Sequence, residues 1–252
     1  MNGKIGRRAL LRTGVAAAGA SGLVVAADIA RRYGLIPPDH TGLYGVGETL
    51  TYASQRVLMG THSLAREFSR REISRVIPVN GDPPESDAYQ RLLARDFSAW
   101  RLTVDGLVTR PRAFSLDDLR RLPSRSQITH QACEEGWSFI AEWTGVPLAA
   151  LLDLVWVRPE ARWAVFYPFD EFWDSIDIEE ARHPQTLLAY SMNGGTLPAE
   201  HGAPLRLRVP RQLGYKSIKY LSRVTLVDSL EHVENGKGSF SPEIGYSWYA
   251  GI

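Results

Sequence analysis

Apolar and polar positions change rhythm along the chain. In "DAYQRLLARDF", Tyr89, Leu92, Leu93 and Phe97 recur at helical spacing, which predicts an amphipathic helix. From Trp100 the period drops to two: Trp100 to Val108 alternates and carries Asp105-Gly106, a hairpin signal. "SLDDLRRL" predicts a short helix with Ser115 as its N-cap and acids in its first turn. "SQITHQAC" reads as a strand ending at Cys133, "VPLAALLDLV" as a helix begun at Pro147, and "RWAVFYPFD" as a buried strand. "IDIEEARHP" predicts a short helical segment halted before Pro184. "TLLAYSMNGGTL" is a strand followed by a turn at Asn193-Gly194-Gly195, and "PLRLRVP" and "SIKYLSRVTLVDS" alternate again. Strands and short helices mix without a βαβ rhythm or an internal repeat. The expected fold class is α+β, with mixed β-sheets and short helices.

The segments before this domain, 76–252, read differently. Residues 28–75 are rich in Gly, Pro and Thr, and predict an N-terminal arm wrapping the domain, with "HSLAREFSRREI" as a short helix. Asn80-Gly81 and Pro83-Pro84 demand turn geometry. Residues 1–27 combine Arg7-Arg8, Leu10-Leu11 and an uncharged run to Ala27, an arrangement similar to a twin-arginine export signal. The run is short and weakly apolar for a full membrane span; a retained tail that anchors the protein is the alternative. Export of this kind carries folded proteins and favours a cofactor inserted before transport.

Charge follows the same division. The chain has 29 basic side chains, of which Lys4, Arg7, Arg8 and Arg12 lie in residues 1–27, so 25 remain beyond against all 28 acids. A near-neutral domain excludes a general nucleic-acid binder and confines its cations to local sites. No G-x-G-x-x-G or phosphate-binding P-loop occurs, which argues against nucleotide cofactors held in those ways.

Two clusters carry candidate chemistry. Cys133, the single cysteine, cannot form an internal disulfide and is followed by Glu134 and Glu135. Carboxylates oppose ionisation of a thiol, so this is a poor setting for a nucleophile, whereas a bound cation deprotonates a thiol outright. A buried structural cysteine remains open as the alternative. Zinc is a weak reading: His130 lies three residues before Cys133 and points to the other face of a strand, and the remaining histidines show no ligand spacing. The second cluster runs from His201 to Lys219 and includes Arg206, Arg208, Arg211 and Lys216 around Gly214. Arg206 and Arg208 share one strand face, and the composition suits an anionic ligand. The alternative is a solvated edge strand with its charges turned outward.

"CEEGWSFIAEWTGVPLAALL", followed by "HPQTLLAYSMNGGTLPAEHGAPLRLRVPRQLGYKSIKYLSRVTL", resembles the sulfite-oxidase-type molybdopterin-dependent oxidoreductases. Within that family it is most similar to the catalytic subunits of the bacterial periplasmic methionine-sulfoxide reductase system. The resemblance runs from about Asn80 to Asp228. It implies a mixed α+β domain around a mononuclear molybdenum bound by molybdopterin, with Cys133 as the protein's metal ligand. It further implies Glu135 near the open coordination face, and His201 and Arg206 on the pterin and its phosphate. Ser217, Ile218 and Lys219 match a cofactor-holding segment, Asn80 an upstream pterin contact, and a further contact falls near Pro168 to Asp170.

Departures from the family narrow the expectation. Sulfite oxidases carry arginines soon after the cysteine, where this chain has Glu134-Glu135-Gly136-Trp137, which repel sulfite. Sulfite oxidases also add a C-terminal dimerisation domain; the expectation here is a protein without that domain and without a heme-binding region. The expectation is therefore an exported, periplasmic molybdenum enzyme transferring an oxygen atom with two electrons, reducing an S-oxide or N-oxide. Its substrate is a small molecule or a protein-bound oxide, and its electrons come from a separate partner such as a membrane heme protein. The alternatives are a sulfite-oxidising dehydrogenase and a non-catalytic exported binding domain of the same fold.

Overall fold

Alternation of apolar and polar side chains gives ten strands in two sheets among the described residues, which are 36–38, 45–59 and 62–252 of a computed structural model. The expected export signal lies outside them. In chain order the strands are β1 (Leu102–Gly106), β2 (Arg112–Phe114), β3 (Arg125–Ala132), β4 (Ser138–Pro147) and β5 (Trp163–Pro168). They continue as β6 (Asp174–Asp177), β7 (Leu187–Met192), β8 (Gly195–Thr196), β9 (Arg206–Arg208) and β10 (Leu221–Val227). One sheet has the order β2-β1-β10-β5-β6, with β1 and β10 parallel and its other neighbours antiparallel. The other has the order β3-β4-β7-β8, and β9 also pairs with β7. A mixed α+β architecture with short helices is what the periodicity predicts.

Most local expectations hold because cap and core point the same way. The Ser115 hydroxyl accepts from Asp118 N–H at 3.0 Å and starts a helix over Leu116–Arg121. Pro147 caps a helix over Leu148–Val155, whose Leu148, Leu151, Leu152 and Val155 are buried. The helix expected over "IDIEEARHP" begins two residues late, at Ile178, because Ile176 and Asp177 belong to β6 and the Asp177 side chain is its N-cap.

Three expectations are corrected. Residues 45–59 form a helix, not extended arm: its Tyr52 packs edge-on against Trp248 and Tyr249, and Arg56 pairs with Asp177 and Glu179. Those partners lie far away in sequence, so Gly- and Thr-rich local composition hides the element. "HSLAREFSRREI" is mostly extended, with only a 3₁₀ turn at Arg70–Glu72. Phe68 N–H donates to Ile128 O and Ser74 N–H to Ile140 O, each at 2.9 Å, so the segment covers backbone that a sheet edge would leave open. The turn at Gly106 does not return as a two-residue hairpin: β1 pairs with β2 after five intervening residues and lies parallel to β10 on its other side. Gly106 has φ +81°, and a Cβ there would sit 2.2 Å from Leu226 O, so close approach of β10 accounts for this glycine.

Gly106→Ala is therefore expected to cost more than Gly245→Ala, whose φ is +90° with nothing within 4 Å. The first should lose about 2–4 kcal/mol in urea unfolding, from left-handed strain and overpacking together. The second should lose about 1–2 kcal/mol. Equal losses would contradict the close contact.

Candidate functional site

The β3–β4 turn presents the thiol. Cys133 N–H donates to Trp137 O at 2.9 Å and Gly136 N–H to Cys133 O at 3.1 Å, closing a tight loop that Gly136 completes at φ +91°. Cys133 is 7% exposed. Its Sγ lies 3.4 Å from Glu134 Oε2, 3.8 Å from Asn80 Nδ2 and 4.0 Å from Glu135 Oε2. Burial pushes this thiol up to about 11; Glu134 and Glu135 push the same way, against a backbone hydrogen bond from Glu135. A free thiol here is neutral and inert. The Glu135 carboxylate is itself held by the Trp137 indole N–H at 2.8 Å.

Arg206, Lys219 and His201 of the cationic cluster line the same cleft. β9 is buried along its whole length, with Arg206 3% and Arg208 1% exposed, so the solvated-edge alternative does not hold. Arg206 donates to the carbonyls of His201 and Ser217, both at 2.8 Å. Neither arginine has a carboxylate partner among the described residues, and Arg206 Nε has no hydrogen-bond partner there. Burial lowers Arg206 to about 10. Lys219 Nζ donates to Asn80 O at 2.6 Å and Glu200 O at 3.1 Å; burial and then Arg206 lower it to about 8. Burial and Arg206 likewise lower the His201 imidazole.

All eight residues expected at the site, Asn80, Cys133, Glu135, His201, Arg206, Ser217, Ile218 and Lys219, line this one cleft of about 360 Å³. Asp170 lines it too, from the stretch near Pro168. The periodicity passes over the aromatic wall: Phe172, Trp173, Tyr215, Phe240 and Tyr246. Tyr215 and Tyr246 stack at 5.5 Å, and Phe240 N–H donates to Trp173 O at 3.1 Å. The aromatic density of "SFSPEIGYSWY" is the signal that could have marked this C-terminal segment as part of the site.

The residues fit an anionic group with a metal at one end. A buried thiol that is inert when free becomes a ligand when a cation takes its proton. Buried guanidiniums without a neutralising acid call for an anion. Gly214 serves the same end: a Cβ there would press to 3.1 Å from Ala132 O, beside Cys133.

Comparison with known proteins agrees. The chain is 36% identical over 194 residues to an Azospira oryzae protein provisionally named protein-methionine-sulfoxide reductase subunit YedZ1, covering 77% of this chain and 70% of that one. It is 34% identical over 148 residues to the protein-methionine-sulfoxide reductase catalytic subunit MsrP of Ralstonia nicotianae, covering 51% of this chain and 44% of that one. The solved structure of the sulfane dehydrogenase SoxCD from Paracoccus pantotrophus matches with a TM-score of 0.50 at 29% identity, over 52% of this chain and 39% of that one. The model of the oxidoreductase molybdopterin binding domain matches residues 90–233. With the thiol, the buried arginines and the cleft between them, this match makes the chain a member of the molybdopterin-binding oxidoreductase family, an enzyme that takes molybdopterin with molybdenum.

Proposed function

We propose that this enzyme is exported and reduces an S-oxide or N-oxide, with Cys133 as the protein's ligand to molybdenum. The observation that carries the reading is the buried thiol beside two carboxylates in a cleft that Arg206 and Lys219 also line. The bound cofactor supplies two-electron oxygen-atom transfer. Asn80, His201, Arg206, Ser217, Ile218 and Lys219 hold its pterin and phosphate. Glu135, held by the Trp137 indole N–H, would sit near the open coordination face as a proton relay or substrate contact. Its charge and that of Glu134 disfavour an anionic substrate such as sulfite. The relatives named as methionine-sulfoxide reductase subunits favour reduction of a sulfoxide.

The domain division of the sequence, with an export signal over 1–27, an arm over 28–75 and the catalytic domain over 76–252, belongs to the same proposal. So do a periplasmic location, a tail retained as anchor in the alternative, and a separate electron donor such as a membrane heme protein. A sulfite-oxidising dehydrogenase is the second reading, favoured by the likeness to a sulfane dehydrogenase. A non-catalytic binding domain is disfavoured by the match to an oxidoreductase domain and by relatives named as reductase subunits.

Purified with its cofactor and supplied with a reduced dye, the protein is expected to turn over methionine sulfoxide and to oxidise sulfite far more slowly. Faster sulfite oxidation would establish the second reading. Glu135→Gln should retain molybdenum and lose activity by about 10²-fold; full activity would remove Glu135 from the reaction. Arg206→Met should fold, yet purify with little molybdenum by elemental analysis; wild-type metal content would exclude it as a cofactor anchor.

A further inference from the structure

We propose that Arg208 is a positioning residue for the cofactor, tying the strand that carries Cys133 to the turn that carries Ser217–Lys219 and lending its charge to the site. The inference rests on the reading that the cleft holds the anionic cofactor. Arg208 does not line that cleft, so nothing in the proposed contacts includes it. Its Nη1 donates to Gln131 Oε1 at 2.7 Å and Ser217 Oγ at 3.0 Å, while Nη2 reaches His130 O at 3.4 Å and Thr129 Oγ1 at 3.5 Å. Three of these acceptors belong to β3, which ends one residue before Cys133. The fourth opens the Ser217–Lys219 segment, and Ser217 Oγ also accepts from Val209 N–H at 3.2 Å. One guanidinium thus spans both halves of the site.

Its charge is otherwise unexplained. Every one of these acceptors is neutral, and among the described residues no carboxylate pairs with Arg208. Its guanidinium lies 4.8 Å from the Trp143 ring centroid, and that of Arg206 lies 4.9 Å from the same ring. Two like charges against one indole repel each other in a dry interior. A strand position between buried Leu207 and Val209 is filled at lower cost by an apolar side chain if packing is its only task. An anion in the neighbouring cleft resolves the imbalance: it neutralises both cations at once, one by contact and one at a distance.

The test compares Arg208→Gln, which keeps an amide donor without the charge, with Arg208→Lys, which keeps the charge with fewer donors. Each is made in a host competent for the cofactor and measured for molybdenum per protein after dialysis, and for Tm loaded and emptied. Arg208→Gln is expected to retain about tenfold less molybdenum than wild type. Its emptied Tm should match or exceed that of emptied wild type, and its gain in Tm on loading should shrink. Arg208→Lys should recover part of both. A residue that only braces the fold would lower the loaded and emptied Tm together and leave the gain unchanged, and that result, or wild-type retention, overturns the inference. If Arg208→Gln fails to fold, the same gain measured on Arg208→Met, which also removes the charge, decides: unchanged from wild type, it overturns the proposal. Wild type free of molybdenum from that host would remove the cofactor reading itself, and this inference with it.

Discussion

Two guanidinium charges buried without an acid set the terms for the rest of the molecule. Arg206 and Arg208 project from β9 to the Trp143 indole and bond only to neutral acceptors. Taking such charges out of water is costly unless something answers them. Within the described residues the answer is partial: carbonyls, a glutamine amide, hydroxyls and an aromatic face. On the proposed reading a bound anion supplies the remainder of the compensation, which would couple the fold and the cofactor in free energy.

Sheet topology makes that coupling local. β9 pairs with β7, β7 with β4 and β4 with β3, so the cationic strand and the thiol-bearing turn are parts of one hydrogen-bonded layer although some seventy residues separate them in sequence. The register is tight: a Cβ on Gly145 in β4 would lie 2.0 Å from Leu188 O on β7. The connection between β5 and β6 of the other sheet carries Phe172 and Trp173 of the aromatic wall, and the C-terminal segment adds Phe240 and Tyr246. Cys133 therefore sits where a rigid turn, a charged strand and an aromatic surface meet, which is the preorganisation a metal ligand needs.

Much of this was legible in the chain itself. Alternation located β3, β5, β7 and β10 because each buries one or both faces. Turn chemistry located Asn193-Gly194, where Asn193 takes φ +50° and Gly194 +78°. The eight expected site residues meet in one cleft because they belong to two short segments and one upstream turn whose chemistry is already complementary. The missing parts were those decided by distant partners. The helix over Gly45–Met59 depends on Trp248 and Tyr249, and the strand-like path of residues 62–74 depends on backbone offered by β3 and β4. Gly106 suggests a hairpin turn, but it is the last residue of β1, and the neighbour in β10 that explains it lies more than a hundred residues away. Alternation gives Arg206 and Arg208 the same strand face, and only the folded chain shows that Arg206 lines the cleft and Arg208 does not.

The central claim is that the Cys133 thiol, pushed up by burial and by its glutamates while free, gives its proton up to a metal. X-ray absorption at the molybdenum edge of the loaded enzyme, compared with Cys133→Ser reloaded under the same conditions, tests it most directly. The account predicts a molybdenum–sulfur coordination number one lower in the variant, with the cofactor's own sulfurs retained. The same sulfur count in both proteins would contradict it.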